Sequence, residues 1–153
     1  MQTTMGHTTL EIASGDAPPP WADAVVVETD DALVDAECVH SIPLRCVIQL
    51  PILGTHGADD AARIAASARR ALELAESRGA HSVALPVLGA KGGVSMSRRA
   101  EIIVTSARDY LLAHPRSRIS RVALVAPDRV TEAALVQAMT GIWQGVPLIR
   151  RRP

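Results

Sequence analysis

The sequence predicts a single α/β domain, in which helices cover both faces of a central, mostly parallel sheet of about five strands. Several short runs are continuously apolar and rich in Val, which is typical of strands buried on both faces. Segments with helical periodicity separate these runs, as they do in parallel sheets. The length of 153 residues corresponds to about one domain.

The five predicted strands differ in pattern. The first alternates polar and apolar residues and fits a half-buried edge strand, whereas the others are mainly apolar. An acidic segment, 30–37, fits either a short helix or a loop. The predicted strands are Thr8–Ala13, Ala24–Val27, Arg45–Leu50, His81–Leu88 and Arg121–Ala126.

Three principal helices are predicted, at about 59–78, 97–113 and 128–139. The first has small and apolar residues at three- and four-residue steps, and Gly79 suits its end. Ser95 and Ser97 can cap the second helix, and Asp128 is a good N-cap for the third.

Composition excludes several classes of protein. The 16 basic and 16 acidic residues cancel, which argues against a nucleic-acid binder. Hydrophobic residues make up 48% of the chain, which excludes global disorder, and no apolar run approaches membrane-spanning length. We therefore expect a cytoplasmic protein. Cys38 and Cys46 are predicted to be buried small hydrophobes, and the five scattered histidines predict no metal site.

Two loops are candidate ligand sites, because ligands of such sheets lie at the carboxyl ends of the strands. One contains Asp16 and follows the first predicted strand. The other, 89–94, is rich in glycine and precedes a helix, so its backbone N–H groups can converge on an anion. Lys91, the only lysine, would add charge for a phosphate. The alternative for 89–94 is a tight turn without a chemical role.

The order and spacing of several motifs resemble a shortened member of the macro domain family, the ADP-ribose-binding α/β/α module. Gly15-Asp16-Ala17 is similar to its Gly-Asp-Ile motif, and Asp23-Ala24-Val25-Val26 to Asp-Ala-Ile-Val. Ser82-Val83-Ala84-Leu85-Pro86 is similar to Ser-Ile-Ala-Phe-Pro, and the loop that begins at Leu88 to the family's diphosphate loop.

The resemblance implies a three-layer fold and a set of ligand-binding residues. Asp16 would accept a hydrogen bond from the adenine amino group, and the glycine loop would bind the phosphates. The implied ligand-binding residues are Asp16, Ala17, Gly89, Ala90, Lys91, Gly92, Gly93 and Val94.

The sequence also departs from the family pattern. The family's Asn-Ala-Ala-Asn falls on Val27-Glu28-Thr29-Asp30, and the chain contains no Asn at all. Asp30 replaces the Asn that hydrolytic members use and is the only candidate catalytic residue. The family's Gly-Gly-Gly loop is missing between Leu33 and Leu44.

We therefore expect one domain over 1–153, with a core at about 8–141 and a basic tail at 148–153, that binds ADP-ribose or a related adenosine diphosphate ligand. Strong hydrolase activity, a cofactor, nucleic acid and membrane are not expected. A first alternative is an interaction domain that keeps the macro fold without a ligand and meets a protein partner or a second copy through an apolar patch near 50–53. A second alternative is an ADP-ribosyl hydrolase. Trp21 and Trp143 are predicted to anchor the core or an interface rather than stack on a base.

Overall fold

A computed structural model describes residues 2–5, 8–29, 37–41, 45–51, 60–89 and 93–142. These residues form strands and helices in an alternating order typical of α/β domains. The elements are β1 (Gln2–Met5), β2 (Thr8–Ser14), β3 (Ala24–Thr29), β4 (Glu37–Ser41), β5 (Arg45–Pro51), α1 (Asp60–Ser77), β6 (Ser82–Pro86), α2 (Met96–Ala113), β7 (Arg121–Ala126) and α3 (Arg129–Ile142).

All described strands form one sheet, in the order β1-β2-β7-β6-β3-β5-β4. The five central strands are parallel, and they are the five that the sequence predicts. The mixed, mostly parallel α/β sheet is thus confirmed. The sheet is wider than predicted, because β1 and β4 add antiparallel edges. β4 begins at the end of the acidic segment that the sequence left undecided.

The helix ends follow the predicted local signals. Gly79 has φ +74° and ends α1 with two hydrogen bonds, from its own N–H to the Glu76 carbonyl and from the Ala80 N–H to the Ala75 carbonyl. This pairing is the Schellman motif, which requires a left-handed residue and so favours glycine. Ser95 is the N-cap of α2, as predicted.

All three helices share one buried cluster with alternate residues of the central strands, among them Val26, Ile48, Leu85 and Leu124. α2 lies between α1 and α3 and contacts both. The crossovers from β5 to β6 and from β6 to β7 step in the same direction across the sheet. Because such crossovers are right-handed, α1 and α2 lie on the same face.

The opposite face of the sheet has a smaller cluster, built on Ala22, Val25 and Ala84. Trp21 packs against it and stacks under the guanidinium of Arg121, 3.5 Å from the ring centroid, so it is an anchor as predicted. The second helical layer predicted for this face is not found among the described residues. The connection from β2 to β3, which crosses on this face, contains three consecutive prolines and forms a loop.

Cys46 corrects another expectation. It is buried as predicted, but it is disulfide-bonded. Cys38 is the only other cysteine of the chain and lies on β4, diagonally across the β4–β5 register from Cys46. Trp143 and the tail 148–153 lie outside the described residues. No helix within the described ranges is both long and apolar enough to span a membrane.

Candidate functional site

A cavity of about 430 Å³ lies at the carboxyl-terminal side of the parallel strands. The loop after β2, the strands β3, β6 and β7, and the first turns of α2 and α3 all contribute to it. Most of the lining is apolar, with three charged side chains among the described residues. The lining residues are Asp16, Pro18, Val25, Val26, Val27, Ala84, Pro86, Val87, Met96, Arg99, Val125, Pro127, Asp128 and Thr131.

A second hollow of about 460 Å³ lies between α1 and α2, away from the strand ends. Its lining consists of small residues, with Arg69, Asp109, Tyr110 and His114 at its polar side. The cavity at the strand ends is the candidate site, because parallel sheets bind ligands where strand ends meet helix N-termini.

Asp16 reaches the cavity from a short, stiff loop. Gly15 has φ +131° and donates its N–H to the Ala126 carbonyl at 3.0 Å, so the loop starts beside the end of β7. At the other end, the Trp21 carbonyl accepts the Ser82 hydroxyl at 3.0 Å. The prolines at 18–20 restrict the backbone between these two points. Asp16 itself is exposed.

Glu28 is a half-buried carboxylate next to the cavity. Its Oε1 accepts a hydrogen bond from the Gly89 N–H at 3.1 Å. Burial raises the pKa of Glu28, although that hydrogen bond and the positive charge of Arg99 act in the opposite direction. The first N–H of the glycine loop thus already holds an anion, which belongs to the chain itself.

Arg99 is buried and lines the cavity from the first turn of α2. Its Nε donates to the Val94 carbonyl at 3.1 Å, which fixes the end of the glycine loop. Two adjacent arginines on a helix usually indicate a solvated face. This is true of Arg98, which is exposed and pairs with Glu101, but not of Arg99. Arg99 precedes Ile102 and Ile103 by three and four residues, which places it on the apolar stripe of the helix.

The two helix N-termini at the cavity carry their own caps. The Ser95 hydroxyl accepts the Arg98 N–H at 3.3 Å at the start of α2. At the start of α3, the Asp128 carboxylate accepts the Thr131 N–H at 2.7 Å, as the sequence predicted for this N-cap. The hydrogen bonds that the Asp128 carboxylate accepts lower its pKa, and the bond from the backbone N–H of Thr131 has the largest effect.

The structure places the predicted ligand-binding residues only in part. Asp16 lines the cavity, exposed Ala17 follows it, and Val94 is half-buried beside Arg99. Gly89 lies two residues after the lining residue Val87, and Gly93 is exposed. Ala90, Lys91, Gly92 and the catalytic candidate Asp30 lie outside the described residues.

The predicted apolar contact patch is wrong at Leu50. Its side chain is 2% exposed and belongs to the core between β5 and α1, so it is not available to a partner. Leu50 lies near the end of β5, on the face that the helix layer covers. Ile52 and Leu53 lie outside the described residues, as does the side chain of Pro51.

Sequence reasoning missed Glu28, Arg99, Met96, Thr131 and the position of Asp128 in the cavity wall. The helical periodicity of α2 could have identified Arg99. Glu28 has no local signal, because its partner Gly89 is 61 residues away in sequence. Within the described ranges, no three His, Cys, Asp or Glu side chains are grouped so that they could hold a metal ion.

The structure is an α/β domain with a cavity at the strand ends, and sequence comparison identifies its family. The family model described as Macro domain matches residues 27–103, which is half of the chain. The chain therefore belongs to the macro domain family. No curated protein sequence matches it significantly.

Solved macrodomains share the fold at low sequence identity. The Oceanobacillus iheyensis macrodomain with MES bound has a TM-score of 0.78 at 16% identity, over 95% of this chain and 98% of that one. The same macrodomain with ADP has a TM-score of 0.78 at 16% identity, over 95% of this chain and 97% of that one. The Trypanosoma brucei macrodomain in complex with ADP has a TM-score of 0.68 at 13% identity, over 87% of this chain and 69% of that one.

Proposed function

We propose that this chain binds ADP-ribose or a related adenosine diphosphate ligand in the cavity at the strand ends. The observation that carries the proposal is the cavity itself, which is mainly apolar, large enough for a nucleoside and bordered by Asp16 at one side and by Arg99 at the other. Family membership supports it, and so do the related macrodomains of O. iheyensis and T. brucei, whose structures contain ADP.

In this proposal the two ends of the cavity have different tasks. The carboxylate of Asp16, with Ala17 beside it, accepts a hydrogen bond from the adenine amino group. The valines and prolines of the lining contact the base and the ribose. The segment 89–94 provides backbone N–H groups for the phosphates. Lys91 supplies charge from that segment, and Arg99 supplies it from beneath.

We propose further that the chain has no strong hydrolase activity. The chain contains no Asn, so the residue that hydrolytic relatives use has to be replaced by Asp30. A carboxylate at that position would face the negative diphosphate, and the Gly-Gly-Gly loop that would hold the distal ribose is missing. Poor positioning alone costs orders of magnitude in rate.

Isothermal titration calorimetry with ADP-ribose tests the binding proposal. We expect saturable heat with the wild-type chain and a loss of affinity of about tenfold or more for Asp16→Ala, because a hydrogen bond to a charged group is removed. The matched control is Asp109→Ala, an exposed aspartate on α2 outside the cavity, which should leave the affinity unchanged. No heat at millimolar ADP-ribose would refute the proposal and favour the interaction domain.

A release assay on an ADP-ribosylated protein tests the absence of hydrolysis. We expect no turnover above the uncatalysed rate. Turnover that is abolished by Asp30→Ala would contradict this expectation and assign Asp30 as the general base.

A further inference from the structure

The first donor of the glycine loop is occupied by the chain's own carboxylate. The Gly89 N–H, at the junction between β6 and the loop, donates to Glu28 Oε1 at 3.1 Å. Arg99 is the only cation that lines the cavity among the described residues, and its charge acts on the same carboxylate. Glu28 therefore draws on the Gly89 N–H and on the charge of Arg99, two groups that attract an anion at this end of the cavity.

We propose that Glu28 is a specificity-determining residue of this site, which competes with the ligand's phosphates for the Gly89 N–H and for the charge of Arg99. The inference rests on the proposed function, because it assumes a nucleotide in this cavity. Its consequence is a selective weakening of diphosphate ligands relative to the uncharged nucleoside. The contacts of the nucleoside end, at Asp16, are unaffected.

The other charges near the cavity do not offset Glu28. Asp16 and Asp128 are both lining residues and both acidic. The positive end of α3 is occupied by the Asp128 carboxylate, and Ser95 caps that of α2. The described part of the site thus holds one cation and three carboxylates, counting Glu28. Among these carboxylates, Glu28 is the one in contact with the glycine loop.

Glu28→Gln isolates the charge, because the side chain keeps its size and its amide oxygen can still accept the Gly89 N–H. Calorimetry should compare ADP with adenosine for the wild-type chain, Glu28→Gln and the control Glu73→Gln. Glu73 lies on α1 outside the cavity and pairs with Arg69, so the control makes the same change of net charge elsewhere.

We expect Glu28→Gln to bind ADP at least tenfold more tightly than the wild type, with adenosine affinity unchanged within twofold and no effect of Glu73→Gln. Glu28→Ala is a second variant that removes the carboxylate without an acceptor, and it should shift the ratio of ADP to adenosine affinity in the same direction. A purely structural role of Glu28 would lower both affinities together.

The two proposals fail in different ways. If the wild type binds ADP and neither substitution changes its affinity relative to adenosine, the inference about Glu28 is overturned and the proposed function stands. If neither the wild type nor the variants bind ADP, ADP-ribose or adenosine, both are overturned. If Glu28→Gln binds ADP and the wild type binds neither ADP nor ADP-ribose, the inference about Glu28 stands and the proposed function of the wild-type chain is overturned.

Discussion

Gly89 should tolerate no side chain, for two reasons that can be separated. Its φ of +87° is a left-handed conformation, which costs an L-residue about 1–2 kcal/mol. A Cβ at this position would lie 2.7 Å from Cδ1 and 3.0 Å from Cγ1 of Ile64, which is 1% exposed and cannot turn away. Overpacking of this kind typically costs about 1–3 kcal/mol.

The net effect of Gly89→Ala is smaller than the sum of these terms. Replacing Gly by Ala also reduces the entropy of the unfolded chain, which stabilises by about 0.4–1 kcal/mol. We therefore expect the free energy of unfolding to fall by roughly 1–4 kcal/mol, measured by urea denaturation. Gly141→Ala is the control, since its added Cβ meets nothing within 4 Å and α3 gains helix propensity. That variant should be neutral or slightly more stable.

A double-mutant cycle with Ile64→Val separates the two causes. Valine lacks Cδ1, the atom in closest contact, so Gly89→Ala should cost on the order of 1 kcal/mol less in the Ile64→Val background. The same cost in both backgrounds would show that the backbone conformation alone is responsible. A neutral effect of Gly89→Ala in the wild-type background would refute both reasons.

Three further predictions concern titration. Burial raises the pKa of Glu28, so its contribution to stability is full below pH 4.5 and is lost as the pH rises through the raised pKa. In urea denaturation, Glu28→Gln should therefore gain stability relative to the wild type as the pH rises above 4.5. A difference in stability that is the same at all pH values would contradict this. Because the pKa of Asp128 is lowered, Asp128→Ala should reduce the melting temperature at pH 7. The reduction should become smaller as the pH falls below 3.8. An equal reduction at all pH values would exclude the charge of the carboxylate as its source. Burial, followed by the charges of Glu76 and Glu73, raises the pKa of Tyr110 to about 12. Because Tyr110 is the only tyrosine of the chain, the absorbance of tyrosinate at 295 nm reports on it alone. The midpoint should lie near pH 12 in the folded chain and near the usual pKa of tyrosine in guanidinium. A midpoint near pH 10 in the folded chain would show that the ring is not buried.

The parallel strands could be predicted from sequence because their signal is local. The runs 24–27 and 122–126 are continuously apolar, which is typical of strands that are buried on both faces of a sheet. β1 and β4 have no such pattern. They are four and five residues long and carry polar residues, and they form strands only because they pair with an edge.

The disulfide of Cys46 was missed for the same reason. The eight-residue separation of Cys38 and Cys46 is uninformative as long as β4 is not predicted. Once β4 pairs with β5, the register places Val39 opposite Val47 and brings the two cysteines to diagonal positions across the pair. Two cysteines close on adjacent strands can be bridged, whereas a sequence spacing alone does not show whether they are close.

The candidate site also has one part that could be predicted from local sequence and one part that could not. The position of Asp16 follows from its neighbours in sequence, because Gly15 and three prolines fix the loop between its two hydrogen-bonded ends. The charge balance at the Arg99 end of the cavity does not follow from neighbours in sequence, because it depends on the contact of Glu28 with Gly89 and on Arg99 lying buried in the first turn of a helix. A motif therefore predicts where a ligand of this family would lie, and the proposal for Glu28 is that contacts between distant residues determine which ligand charge the site accepts. For this chain, the comparison of ADP with adenosine tests the second of these statements independently of the first.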